Sequence, residues 1–245
     1  MQLHSGAGKR DMFEDPLFWV FVLPGLLLGA YPQSRIKMNV AKYSRVATDG
    51  GITGAQVARR LLDSQGLQNV AVESTPGMLS DHYDPRSKTL RLSQEVYFTP
   101  SVAAAGIAAH EAGHALQDAV DYFPLEVRTY IVPAVQLASK VAPWLFIGGI
   151  ILGLPTLAWS GVILFGSSFI FSLITLPVEF DASSRAQELL VSHGIIRGKE
   201  QITGVEKVLG AAAWTYVAAA VSAIGSWLFY VFVLLSQVRS AASHK

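Results

Sequence analysis

Residues 141–178 read VAPWLFIGGIILGLPTLAWSGVILFGSSFIFSLITLPV, a run without a single charged side chain. As one helix it would be about 55 Å long, whereas a bilayer's hydrocarbon core asks for about 30 Å. The run is long enough to cross twice, with Gly153-Leu154-Pro155 as the turn. Pro143, Trp144 and Trp159 suit the ends of spans better than their middles. This helical hairpin decides the fold class, because it places a pair of membrane helices in the middle of the chain.

Working outward, residues 208–238 form another charge-free stretch, long enough for one more span. Near the start, residues 17–31 are apolar, with Trp19 and Tyr31 near their ends as interfacial anchors. Lys9 and Arg10 precede this run, but Asp11, Glu14 and Asp15 intervene, and Leu28-Gly29-Ala30 is a poor cleavage site. The reading is a retained anchor rather than a signal peptide. The expected count is four spans. Composition agrees: 51% of residues are hydrophobic and 15% charged, against about 25% charged in a soluble domain. A net charge of +1 and no block of like charges argue against a nucleic-acid partner. The chain has no cysteine, so any metal site must use nitrogen and oxygen donors.

The expected organisation is therefore an anchor (1–33), a polar domain (34–130), the transmembrane hairpin (141–178), a polar helical region (179–207) and a last span (208–238). Within the polar domain, Thr53-Gly-Ala-Gln56 is a capping box opening a helix that stops near Gly66. Residues 70–72 and 89–92 read as short strands, separated by Pro76-Gly77 and Asp84-Pro85 turns. Thr99-Pro100 is expected to cap the alanine-rich helix that follows. The fold class is mainly α, a polytopic membrane protein whose polar domain holds a small β-hairpin or sheet.

That alanine-rich helix carries His110-Glu-Ala-Gly-His114. Positions i and i+4 lie on one helix face, so His110 and His114 can share a metal, and Glu111 can reach a water in its open coordination position. The pattern points to one zinc ion and a hydrolase in which Glu111 is the general base. Two histidines and a glutamate are costly to bury on a small apolar helix without a task.

Such a site needs a third protein ligand. Asp118 shares the helix face, but eight residues rise about 12 Å, too far for one ion to span. Glu126 is possible. Glu179 is the strongest candidate, because it opens a polar stretch directly after the hairpin. Two crossings between residues 110 and 179 return the chain to the same side of the membrane, which a shared ion requires.

His110-Glu-Ala-Gly-His-Ala-Leu-Gln117 and Leu176-Pro-Val-Glu-Phe-Asp-Ala-Ser-Ser-Arg-Ala186, with the Asp81–Pro85 turn and the Leu90–Ser93 strand, resemble the YugP-like bacterial membrane zinc metallopeptidases. More distantly the chain is similar to gluzincin membrane peptidases, such as the CAAX prenyl and heat-shock enzymes. The resemblance implies that Glu179 is the third ligand and that Ala182 matches a small residue of the motif. Ser183 stands where those enzymes carry an Asp that steadies a ligand histidine, which leaves Asp181 as a substitute for orienting His110.

Candidates for stabilising a developing oxyanion are His193, Arg185, His82 and Tyr83, although His193 fits better as a helix cap before Gly194. The strand at 90–92 could offer an edge to an extended peptide. Arg35, Lys37, Lys42 and Arg45 follow the first span, which by the positive-inside bias puts residues 33–128 in the cytoplasm and both termini outside. The expected setting is a bacterial inner membrane, with lipid around the spans and peptides or membrane proteins as substrates. Two other readings compete: an intramembrane protease with residues 101–120 inside the bilayer, and an inactive membrane scaffold.

Overall fold

The structure, a computed structural model, describes residues 16–243. Its elements are α1 (Pro16–Tyr43), α2 (Gly54–Ser64), β1 (Ala71–Thr75), β2 (His82–Asp84), β3 (Thr89–Ser93), α3 (Gln94–Phe98), α4 (Val102–Ala119), α5 (Phe123–Ile151), α6 (Pro155–Ser192) and α7 (Lys199–Ser243). Three helices among the described residues are long and apolar enough to cross a membrane: Phe123–Ile151, Pro155–Ser192 and Lys199–Ser236. The first expected span falls on α1, which packs along α7, is not one of these three, and runs on as one helix to Tyr43.

The hairpin forms as its composition demands. Gly153 takes φ +65°, Leu152 donates to the Gly148 carbonyl at 2.9 Å, and Leu154 donates to that of Gly149 at 2.8 Å. Pro155 then opens α6, where its missing N–H would have had no helical partner. Gly161 lets α6 approach α5 closely, since a Cβ there would stand 2.6 Å from the Phe146 nitrogen. Both helices outrun the charge-free stretch, α5 starting at Phe123 and α6 continuing to Ser192. Glu179 therefore lies within one long helix, two residues past Pro177, rather than at the start of a separate one.

The polar domain is built around α4. Fourteen of its residues are buried, and it packs on α2, α6 and α7. Alanine and glycine dominate it because three helices crowd its surface and larger side chains would hold them apart. The main core joins Val57, Leu61 and Leu62 of α2 to Leu90 and Leu92 of β3, the α4 alanines, Leu190 of α6 and Val205 of α7. The capping box on α2 is complete: Gln56 N donates to Thr53 Oγ1, and Thr53 N donates to Gln56 Oε1 at 2.9 Å. The start of α4 differs from expectation. Residues 94–98 form the short helix α3, and Ser101 is the cap, accepting from Ala104 N at 3.2 Å. Ser101 takes the place expected of Thr99 because its hydroxyl sits where the first free N–H groups point, whereas Thr99 closes α3.

The sheet has the order β1-β3-β2, with β1 parallel and β2 antiparallel to β3. Strand β3 is thus central and paired on both sides, so it cannot present an edge to a peptide. The strand with a free edge beside α4 is β2.

Candidate metal centre

His110 and His114 project from one face of α4, and their rings stand edge-to-face with centroids 4.8 Å apart. The hairpin brings α6 back against that face. His110 Nε2 lies 3.2 Å from Glu179 Oε2, and His114 Nε2 lies 3.7 Å from the same oxygen. Among the described residues these three form the one group of His and carboxylate side chains whose ligand atoms could hold a metal ion, all lying within 4.8 Å of one another. Asp118 and Glu126 are not members of it.

The remaining bonds of these side chains fit a metal. His114 Nδ1 donates to Gln117 Oε1 at 2.9 Å, and His110 Nδ1 lies 3.1 Å from Ser183 Oγ. With each Nδ1 occupied, both Nε2 atoms are turned toward Glu179, as paired ligands require. Glu179 is 2% exposed, yet its Oε1 has no hydrogen-bond partner. Arg128 Nη1 approaches that oxygen to 2.8 Å, off the line of a hydrogen bond, so the contact is one of charge alone. A buried carboxylate short of partners, facing two imidazole nitrogens, is a donor set of the kind zinc takes.

Close packing sets the spacing between the two ligand helices. At Gly113, between the histidines, a Cβ would stand 2.7 Å from the Ala182 carbonyl oxygen. Glycine on α4 and alanine on α6 therefore allow the ligands to converge.

Glu111 faces the same space. It is buried, and that burial pushes its carboxyl up to about 7, against the opposing pull of His110 and of a hydrogen bond from the Tyr83 backbone. The Tyr83 side chain ties β2 to α4, donating to Asp118 Oδ2 at 2.6 Å, while Lys88 Nζ reaches that oxygen at 2.6 Å. Asp118 thus holds the β2 edge in place. A cavity of about 590 Å³ opens over the cluster, walled by residues 81–86 on one side and by α5 on the other.

Several expectations are revised. Asp181 does not orient His110; it accepts from Gln117 Nε2 at 2.8 Å and so supports His114 at one remove. Ser183 itself reaches His110. Of the oxyanion candidates, His82 and Tyr83 line the cavity, whereas Arg185 is engaged with Asp181 at 2.6 Å and His193 caps α6 before Gly194 at φ +62°. Three residues that the sequence did not single out reach the site: Gln117, Arg128 on α5 and Tyr216 on α7. Gln117 could have been found, since it lies three positions from His114 on the same helix face. Arg128 and Tyr216 come from distant helices and carry no local signal.

Comparison with known proteins points to the same metal. The family described as "Putative neutral zinc metallopeptidase" matches residues 18–235. The chain is 48% identical over 220 residues to the "Putative membrane protease YugP" of Bacillus subtilis (strain 168), covering 90% of this chain and 97% of that protein. No solved structure matches. With a family match over most of its length and a relative this similar along nearly its whole length, the chain belongs to the neutral zinc metallopeptidase family.

Proposed function

We propose that the protein is a membrane-embedded zinc endopeptidase with one ion held by His110, His114 and Glu179. The observation that carries this reading is the convergence of those three side chains beside the buried Glu111, in a cavity large enough for a peptide. When bound, zinc supplies a Lewis acid for the scissile carbonyl and lowers the pKa of water. Glu111 takes a proton from the attacking water and passes it to the leaving amine. Tyr216 lines the cavity and carries an O–H donor that can meet the carbonyl oxygen as charge develops on it. The free edge of β2, held on α4 by Tyr83 and Asp118, aligns the extended substrate.

In this proposal α1 is the fourth span, the polar domain faces the cytoplasm of a bacterial cell, and the cut bonds belong to membrane proteins or peptides close to the headgroups. The relative's name, "Putative membrane protease YugP", supports a membrane setting and the class of reaction. The intramembrane alternative loses ground, because α4 is not among the helices suited to crossing and is packed inside the polar domain.

Glu111→Gln tests the proposal. The variant is expected to bind zinc as the wild type does and to lose peptide hydrolysis by at least about a thousandfold; turnover close to wild type would end the reading. Glu179→Ala is expected to strip the metal. A wild-type protein that purifies without zinc affinity would favour the scaffold alternative.

A further inference from the structure

The metal cluster stands between two cavities. Asp81, His110, Glu111, Glu179 and Tyr216 line both. On one side lies the large cavity under β2 and α5, whose walls carry His82, Asp84, Arg86 and Arg128. On the other side a smaller cavity of about 220 Å³ runs on between α1 and α7, and its chemistry changes. Beyond the shared residues its walls include Ile36, Val40, Ile107, Leu209 and Ala212, with no charged side chain among the rest of the lining.

The hollow has a physical origin. Helices α1 and α7 approach closely at two levels: a Cβ at Gly204 would stand 2.6 Å from the Tyr43 ring, and a Cβ at Gly25 would stand 2.6 Å from Ser222 Oγ. Between these levels α7 presents Ala212 and Ala213 to the cavity that Ile36 and Val40 of α1 also line. Two helices pinned at both levels, with alanines between, leave a gap that their own side chains do not fill.

We propose that this gap is a specificity pocket, which receives the aliphatic side chain of a substrate residue flanking the scissile bond. The inference rests on the peptidase reading and names what that site selects. An uncharged side chain of leucine or valine size gains by leaving water for these walls. A charged one would be buried without a partner, and an acidic one would also pass Asp81, Glu111 and Glu179 at the mouth. Ala212 and Val40 then set the depth and width of the pocket.

The test uses the full-length protein in detergent, loaded with zinc, and two readouts. Binding is measured by calorimetry with a pair of dipeptide hydroxamates that differ only in carrying a leucine or a glycine side chain. Cleavage sites in a peptide library are mapped by mass spectrometry. The leucine compound is expected to bind at least about tenfold more tightly, and library cuts to show an aliphatic residue on one side of the bond. Ala212→Leu fills the pocket and is expected to erase the preference with zinc content unchanged. Val40→Ala, which removes volume and keeps the helix apolar, is expected to shift the preference toward larger side chains by about fivefold. Equal affinities for the two hydroxamates would overturn the pocket, as would a preference that neither variant alters. A leucine preference that responds to the variants in a protein that cuts no peptide keeps the pocket and removes the peptidase reading instead.

Discussion

Gln117 Oε1 accepts a hydrogen bond from His114 Nδ1 at 2.9 Å, and nothing else about that amide is free to turn. Its Nε2 donates to the Val178 carbonyl and to Asp181 Oδ2, each at 2.8 Å, so α6 holds the side chain that in turn orients a ring on α4. Gln117→Ala is accordingly expected to weaken zinc binding by about 10- to 100-fold, read in a competition titration against a chelator. An affinity equal to wild type would show that the ring keeps its orientation without the amide.

Ser183 stands in the corresponding relation to His110, at 3.1 Å from Nδ1. Its hydroxyl is a weaker partner than a carboxylate, which predicts an order of zinc affinity. Ser183→Asp should bind at least as tightly as wild type, and Ser183→Ala more weakly by up to about tenfold. The reverse order would mean that the contact does not support the ligand.

At Gly113 the two ligand helices pack with no room for a side chain between them. Gly113→Ala forces its new methyl toward the Ala182 carbonyl and is expected to cost about 1–3 kcal/mol of stability, together with a loss of zinc affinity. Thermal unfolding with and without zinc separates the two effects. A variant as stable as wild type and fully zinc-binding would show that the helices part without harm to the centre.

The cysteine-free chain allows a clean test of orientation. Ser87 lies in the turn between β2 and β3, in the polar domain. A Ser87→Cys variant in intact cells is expected to resist a membrane-impermeant thiol reagent and to react once the cells are opened. Labelling of intact cells would place the polar domain outside.

The features legible in the sequence are those whose cause is local. The Gly153-Leu154-Pro155 turn, the Thr53/Gln56 capping box and the two histidines of α4 each act within a few residues, and each stands where it was expected. Glu179 was reachable by a longer argument, because an even number of crossings returns the chain to its starting side. What escaped depends on packing between distant segments. Strand β2 is only three residues long, and it exists because Tyr83 is tied to Asp118 and β3 lies alongside. Arg128 and Tyr216 reach the centre only after α5 and α7 have taken their places. Asp181, the substitute expected for orienting His110 where Ser183 replaces the motif's Asp, is turned by the helix toward Gln117 instead.

Because Glu179, the proposed third ligand, lies beyond the α5–α6 hairpin, the His110–His114–Glu179 group cannot be completed by the polar domain alone. A chain in which that hairpin has not yet folded back holds two imidazoles and a base but lacks the carboxylate that closes the set. On the proposed reading, hydrolytic competence waits on the return of α6 against α4.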